Sequence, residues 1–180
     1  MADIKKIFNN TDPVTVLFLG TAPAVALSGS IKAALGIGCA ALVIMLLSAL
    51  VMTALGKNLT EKAHIAVTVL VTAFFVSVAQ MLMGAFLPKT AALMGVYLAI
   101  LATNLMVFGT VGGEAPVRSA LRNGLIFLAA VLVLAGVRVL FGSGMLGGFK
   151  INAFNGVYGG LILFAIELAV INAIFGKKEG

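Results

Sequence analysis

A single carboxylate, Glu167, stands deep in the apolar run 154–175. An acid placed in lipid costs at least about 2.5–3.5 kcal/mol, so it must face the protein interior and either find a partner or hold a proton. Two readings follow: a contact for a translocated ion or proton, or a neutral acid hydrogen-bonded to a neighbouring helix or protein. Candidate companions inside the apolar runs are Thr103, Asn104, Ser48 and, beside the sequence Gly20-Thr21-Ala22-Pro23, Thr21. Their hydroxyl and amide oxygens suit an ion path rather than bond-making chemistry. No nucleophile–base pair, phosphate-cradling loop or metal-ligand spacing occurs, which argues against an autonomous hydrolase or kinase. His64 is the one histidine and Cys39 the one cysteine, so neither an internal disulfide nor a self-sufficient cysteine-ligated metal site can form. His64 reads as a boundary residue, Cys39 as a small packing residue, and Ser77 and Gln80 as bridges between helices.

The elements that must position these groups are membrane helices. Of 180 residues, 62% are hydrophobic and 10% charged, and the mean hydropathy is +1.18. Such a chain would expose too much apolar surface in water. Continuous apolar runs fit helices, whereas the strands of a membrane barrel would alternate polar and apolar residues. Runs of about 20 residues give six spans, at 13–30, 33–55, 64–87, 91–111, 119–141 and 154–175. Short connections leave one membrane domain over 1–180, with no visible cleavable signal peptide.

Net charge is +6 and the pI about 9.8. The charges are scattered through loops without a basic helix, so the partner is a lipid bilayer and not nucleic acid. Lys5, Lys6, Lys57, Lys62, Arg118, Arg122, Lys177 and Lys178 fall on the side of both termini. Lys32, Lys89 and Lys150 fall on the other, with Arg138 near the end of the fifth span. The excess of basic residues places both termini in the cytoplasm and the chain in the inner membrane.

The chain also repeats itself. Lys32-Ala33-Ala34-Leu35 and Gly38 lead into an apolar run ending at Leu55-Gly56; Arg118-Ser119-Ala120-Leu121 and Gly124 lead into one ending at Phe141-Gly142, each point 86 residues on. Three spans separate equivalent points, so repeat 1 (about 13–87) and repeat 2 (about 91–175) must lie inverted relative to each other. Span 1 is interrupted at Gly20–Pro23, where proline removes a backbone donor. Span 4 is interrupted at Thr103-Asn104 and the glycines beyond. Interruptions at matching places point to a site near the midplane. At about 1.5 Å per residue, Glu167, Asn104 and Gly20 all lie about 20 Å from the outer face, with Ser48 nearby. Glu167, Asn104, Thr103, Ser48 and Thr21 are therefore expected to share one polar layer, with Arg138 roughly 15 Å from Glu167 in depth. Gly156-Val157-Tyr158-Gly159-Gly160 reads as a close helix contact.

At the interrupted helices the sequence resembles a known family. Leu19-Gly20-Thr21-Ala22-Pro23-Ala24-Val25-Ala26, Val76-Ser77-Val78-Ala79-Gln80-Met81-Leu82, Thr103-Asn104-Leu105-Met106-Val107-Phe108-Gly109 and Arg138-Val139-Leu140-Phe141-Gly142-Ser143-Gly144 are similar to the membrane subunits of the Rnf and Nqr complexes. Within these, the chain most resembles the E subunit of Rnf, which is equivalent to the D subunit of Nqr. The resemblance implies six helices in two inverted halves. It also implies a homologous six-helix partner and other redox subunits, in a complex coupling electron transport to Na⁺ or H⁺ movement. It further implies two cysteines, one before the proline and one after Thr-Asn, that contribute to a shared [2Fe–2S] cluster. Here those positions are Ala22 and Leu105, and the family's glutamate after Arg138 is Val139. Iron–sulfur clusters need thiolate ligands, normally four, so no cofactor is expected to be bound by this chain alone. The expectation is a membrane component of an ion-translocating complex, without cluster ligands of its own. The alternatives are a small inverted-repeat secondary transporter or a purely structural membrane subunit.

Overall fold

A computed structural model of the chain describes residues 21–55, 59–104, 116–142 and 156–175. All regular elements among them are helical: α1 (Thr21–Leu27), α2 (Ile31–Leu55), α3 (Glu61–Phe86), α4 (Pro88–Met94), α5 (Tyr97–Ile100), a 3-10 turn (Leu101–Thr103), α6 (Pro116–Gly142) and α7 (Val157–Phe175). Three are long and apolar enough to cross a membrane, over Ile31–Leu55, Ala63–Phe86 and Pro116–Leu140; Tyr158–Ala173 is a shorter apolar helix. Runs rich in Ala, Leu, Ile and Met keep helices α2 and α6 unbroken, and every internal backbone group finds its partner within the helix, as lipid requires. Residues 13–20 of the expected first span lie outside the described residues, as do the glycine-rich residues 143–155.

The expected fourth span, 91–111, is not one continuous helix. Leu87 turns the chain at φ −133° and ψ 56°, its amide bonding Met83 O, and Pro88 starts α4 where no amide is needed. Gly95, at φ 48°, then ends α4 in a conformation that costs a side-chain-bearing residue energy. A second break follows at Asn104, which leaves the 3-10 turn extended at φ −68° and ψ 127°. The pair Thr103-Asn104 announces the second break. The break at Gly95 departs from the expected continuous run, although a glycine inside a helical pattern is its signal. Residues 105–111 lie outside the described residues.

The centre of the fold is the crossing of α2 and α6. A Cβ on Gly38 would lie 3.3 Å from Leu128 Cα and nearer still to Leu128 Cδ1; one on Gly124 would lie 3.2 Å from Leu42 Cα. Only glycine permits that backbone approach. Moving forward from Gly38 to Leu42 moves the facing residue back from Leu128 to Gly124, so the two helices run antiparallel where they touch. The two contacts also exchange under a shift of 86 residues. The buried faces obey the same shift. Ala34, Ile37, Gly38, Ala41, Ile44 and Met45 are buried on α2, and Ala120, Asn123, Gly124, Phe127, Ala130 and Val131 on α6.

The other elements pack around this pair. Helix α3 folds back along α2, and α4, α5 and the 3-10 turn lie against α3. At Gly36 three elements meet: a Cβ there would lie 2.9 Å from Thr90 Cγ2, 3.0 Å from Met94 Sδ and 3.9 Å from Met83 Cε. Helix α7 has α1 and α6 as its main neighbours.

Candidate functional site

Arg138 is the most elaborately held polar side chain among the described residues. It is 6% exposed. Its Nη1 donates to Val25 O at 3.0 Å and to Ser28 Oγ at 2.8 Å, and its Nη2 donates to Gly156 O at 3.0 Å. Ser28 Oγ in turn donates to Val25 O at 2.9 Å. The guanidinium thus binds the end of α1 and the start of α7 to α6, and at Val25 O it meets a helix C-terminus, where a cation is favoured. A Cβ at Gly160 would come within 3.0 Å of Nη1 and 3.2 Å of Val25 Cγ1, so the close contact expected around Gly156–Gly160 is made at Gly160 with Arg138 and α1. Arg138, near the end of the fifth span as the sequence places it, is therefore a buried clamp between helices. The sequence signal for this role is its place in an apolar helix, with Ser28 and several glycines elsewhere, which alone does not pair them.

Glu167 lies on α7, partly buried, with its Oε2 enclosed and without a hydrogen-bond partner among the described residues. Ser48 Oγ is enclosed and unbonded in the same sense. Helix α7 packs on α1 and α6, and Ser48 lies on the α2 face that is also lined by Ala49 and Met52. Asn104 is buried at the end of the 3-10 turn, which packs on α3. The side chains of Thr21 and Thr103, and Leu105 altogether, lie outside the described residues.

Two buried hydroxyls on α3 escape a reading of the sequence. Thr68 Oγ1 donates to His64 O at 2.7 Å and Thr72 Oγ1 to Thr68 O at 2.8 Å. Both are essentially inaccessible. Threonine at helical spacing in an apolar run is their only signal. Ser77, by contrast, is exposed and bonds Ala73 O of its own helix at 2.9 Å, so it does not bridge helices. Gln80 and Cys39 are exposed as well, which removes Gln80 from the interior and Cys39 from the packed core.

The donor set does not fit an iron–sulfur cluster. Alanine at 22 and leucine at 105 carry no ligand atom, and the lone thiol, Cys39, faces out from α2. Among the described residues no group of three or more His, Cys, Asp or Glu is close enough to hold a metal ion.

Against known proteins, residues 2–175 match the family described as Rnf-Nqr subunit, membrane protein. The chain is 28% identical over 162 residues to the E subunit of the Na⁺-translocating ferredoxin:NAD⁺ oxidoreductase complex of Acetobacterium woodii, covering 86% of this chain and 82% of that protein. It is 26% identical over 151 residues to the E subunit of the ion-translocating oxidoreductase complex of Methanosarcina acetivorans, covering 80% and 71%. For the corresponding E subunit of Rhodobacter capsulatus the figures are 29% over 140 residues, covering 74% and 58%. A match that runs almost from end to end, on an apolar helical bundle, means that the chain belongs to the Rnf-Nqr family of membrane subunits.

Proposed function

We propose that this chain is an integral membrane subunit of an ion-translocating electron-transport complex of the Rnf/Nqr kind, working without cluster ligands of its own. The family match over 2–175 carries the assignment. The names of its relatives supply the kind of complex. Its partners are a homologous six-helix membrane subunit and the redox subunits of the complex.

Six spans arranged as two inverted three-helix repeats support ion movement between the halves. That arrangement is favoured by the reciprocal contacts Gly38–Leu128 and Gly124–Leu42, which interchange under the 86-residue shift. A two-fold axis makes each contact twice. Gly38 and Gly124 each lie roughly 10–12 Å along their helices, so the pair crosses near the bilayer midplane. The distribution of Lys and Arg sets both termini in the cytoplasm of an inner-membrane protein. Glu167, Asn104, Thr103, Ser48 and Thr21 supply polar groups for the ion path, and Arg138 holds α1, α6 and α7 together at the outer end.

Affinity purification through a tag on this chain tests the assignment. Recovery of flavin- and iron–sulfur-bearing subunits in fixed ratio is expected. A chain that elutes alone from gently solubilised membranes, and that drives solute flux by itself in liposomes, would refute it.

A further inference from the structure

Helix α3 is long and apolar enough to cross a membrane, yet it has less protein around it than its neighbours. Only 17% of its span is buried, against 44% for α2 and for α6. Gln80 stands on the uncovered side and makes no hydrogen bond among the described residues. Ser77, three residues earlier, and Gly84, four residues later, share its face of the helix. Both are exposed, and an added Cβ at Gly84 meets nothing within 4 Å. Through their middles, the exposed sides of α2 and α7 instead present Val43, Leu47 and Leu50, and Ile162, Ile166 and Val170.

Lipid suits those apolar sides but not the amide of Gln80. A primary amide carries two donors and an acceptor oxygen, and leaving them unmatched in hydrocarbon is costly. Gln80 lies six residues before the end of α3 at Phe86, about 9 Å along the axis. Helical side chains lean toward the N-terminus of their helix, so Gln80 is directed away from that nearer end. The start of the helix at Glu61 is nineteen residues off, about 28 Å. Neither headgroup region is within reach of so short a side chain. Ser77 donates its proton to Ala73 O and so offers only lone pairs outward. What matches such a face is a second helix with a polar side chain of its own, since amides and hydroxyls bond across helices in membranes. Ser77, Gln80 and Gly84 span two turns, about 10 Å, which one helix laid along α3 covers.

We propose that the face of α3 bearing Ser77, Gln80 and Gly84 is a docking surface for a transmembrane helix of another subunit, which brings a hydroxyl, amide or carboxyl side chain to Gln80. The inference rests on the proposed place in a multi-subunit complex, which requires one side of the chain to meet protein instead of lipid. It names that side and the chemistry that the incoming helix must carry.

Photo-crosslinking in native membranes tests the surface. The probe is p-benzoylphenylalanine in place of Met81, which is 75% exposed beside Gln80 and whose replacement leaves the amide intact. Irradiation should join this chain to a membrane-spanning peptide of a subunit that co-purifies with it. Gln80→Leu should weaken retention of that subunit in detergent about three- to tenfold, the loss of one hydrogen bond between membrane helices. The Tm of the purified full chain should not fall with Gln80→Leu, because Gln80 has no partner within it. Gly84→Leu, which fills the approach without meeting this chain, should weaken retention as well. Adducts with lipid alone, within this chain or with a second copy of it overturn the docking surface, and so does unchanged retention in both variants. Absence of redox subunits from the purified material refutes the proposed function instead, and the Met81 adduct still reports whether the helix of another protein covers α3.

Discussion

Substituting alanine for glycine at four helical positions separates close backbone approach from mere helix preference. At Gly38 and Gly124 an added Cβ meets the facing Cα at 3.3 and 3.2 Å. Comfortable carbon–carbon separation is about 3.5–4.0 Å, so α2 and α6 must move apart by a few tenths of an ångström. Overpacking of this kind costs about 1–3 kcal/mol, and alanine returns about 0.5–1 kcal/mol by restricting the unfolded backbone. The net expectation is a loss of about 0–2.5 kcal/mol for Gly38→Ala and for Gly124→Ala. At Gly84 and Gly136 an added Cβ meets nothing within 4 Å, so these variants should be neutral or gain up to about 1 kcal/mol. Because one separation of the helices relieves both contacts, the double variant Gly38→Ala/Gly124→Ala should cost less than the sum of its parts by about 0.5 kcal/mol or more. Reversible unfolding of the purified chain in mixed micelles, titrated with denaturing detergent, reads all five. Equal effects at Gly38, Gly124, Gly84 and Gly136, or strict additivity in the double variant, would refute the pseudo-two-fold crossing as the centre of the fold.

Arg138→Met should destabilise the chain by about 2–4 kcal/mol in the same assay. That is less than three charge-assisted hydrogen bonds at about 1.5–3 kcal/mol each, because Val25 O keeps the Ser28 hydroxyl and Gly156 O keeps the Gly160 amide, and removing the guanidinium also ends its desolvation. Arg138→Lys should recover only part of the loss, since an ammonium cannot span α1 and α7 together. Glu167→Gln, which preserves shape and hydrogen-bonding capacity, should leave assembly intact and reduce redox-driven cation uptake into proteoliposomes; unchanged uptake removes Glu167 from the ion path. Iron analysis and EPR of the purified complex should give no [2Fe–2S] signal that depends on this chain, and a signal lost with its deletion but kept without other subunits would contradict the cluster-free proposal.

Burial and depth are what the residue types state directly. A chain that is 62% hydrophobic has to place its long apolar runs in lipid, and the pair Thr103-Asn104 points to the interruption found at Asn104. The 86-residue shift is equally readable, because the glycines that let two helices touch recur with the runs that contain them. A one-dimensional string does not say which faces meet. Arg138 can be placed near the end of the fifth span from the string, but its partners Val25, Ser28 and Gly156, as many as 113 residues away, are brought around it only by the docking of α1 and α7 on α6. Counting residues assigns Ser48 and Glu167 similar depths, but depth fixes one coordinate, and helix rotation and adjacency, which fix the other two, are not written in the string. Thr68 and Thr72 give no distinct signal, because threonine in an apolar helix bonds its own backbone wherever it sits. Only the packing of α3 against its neighbours buries both of them.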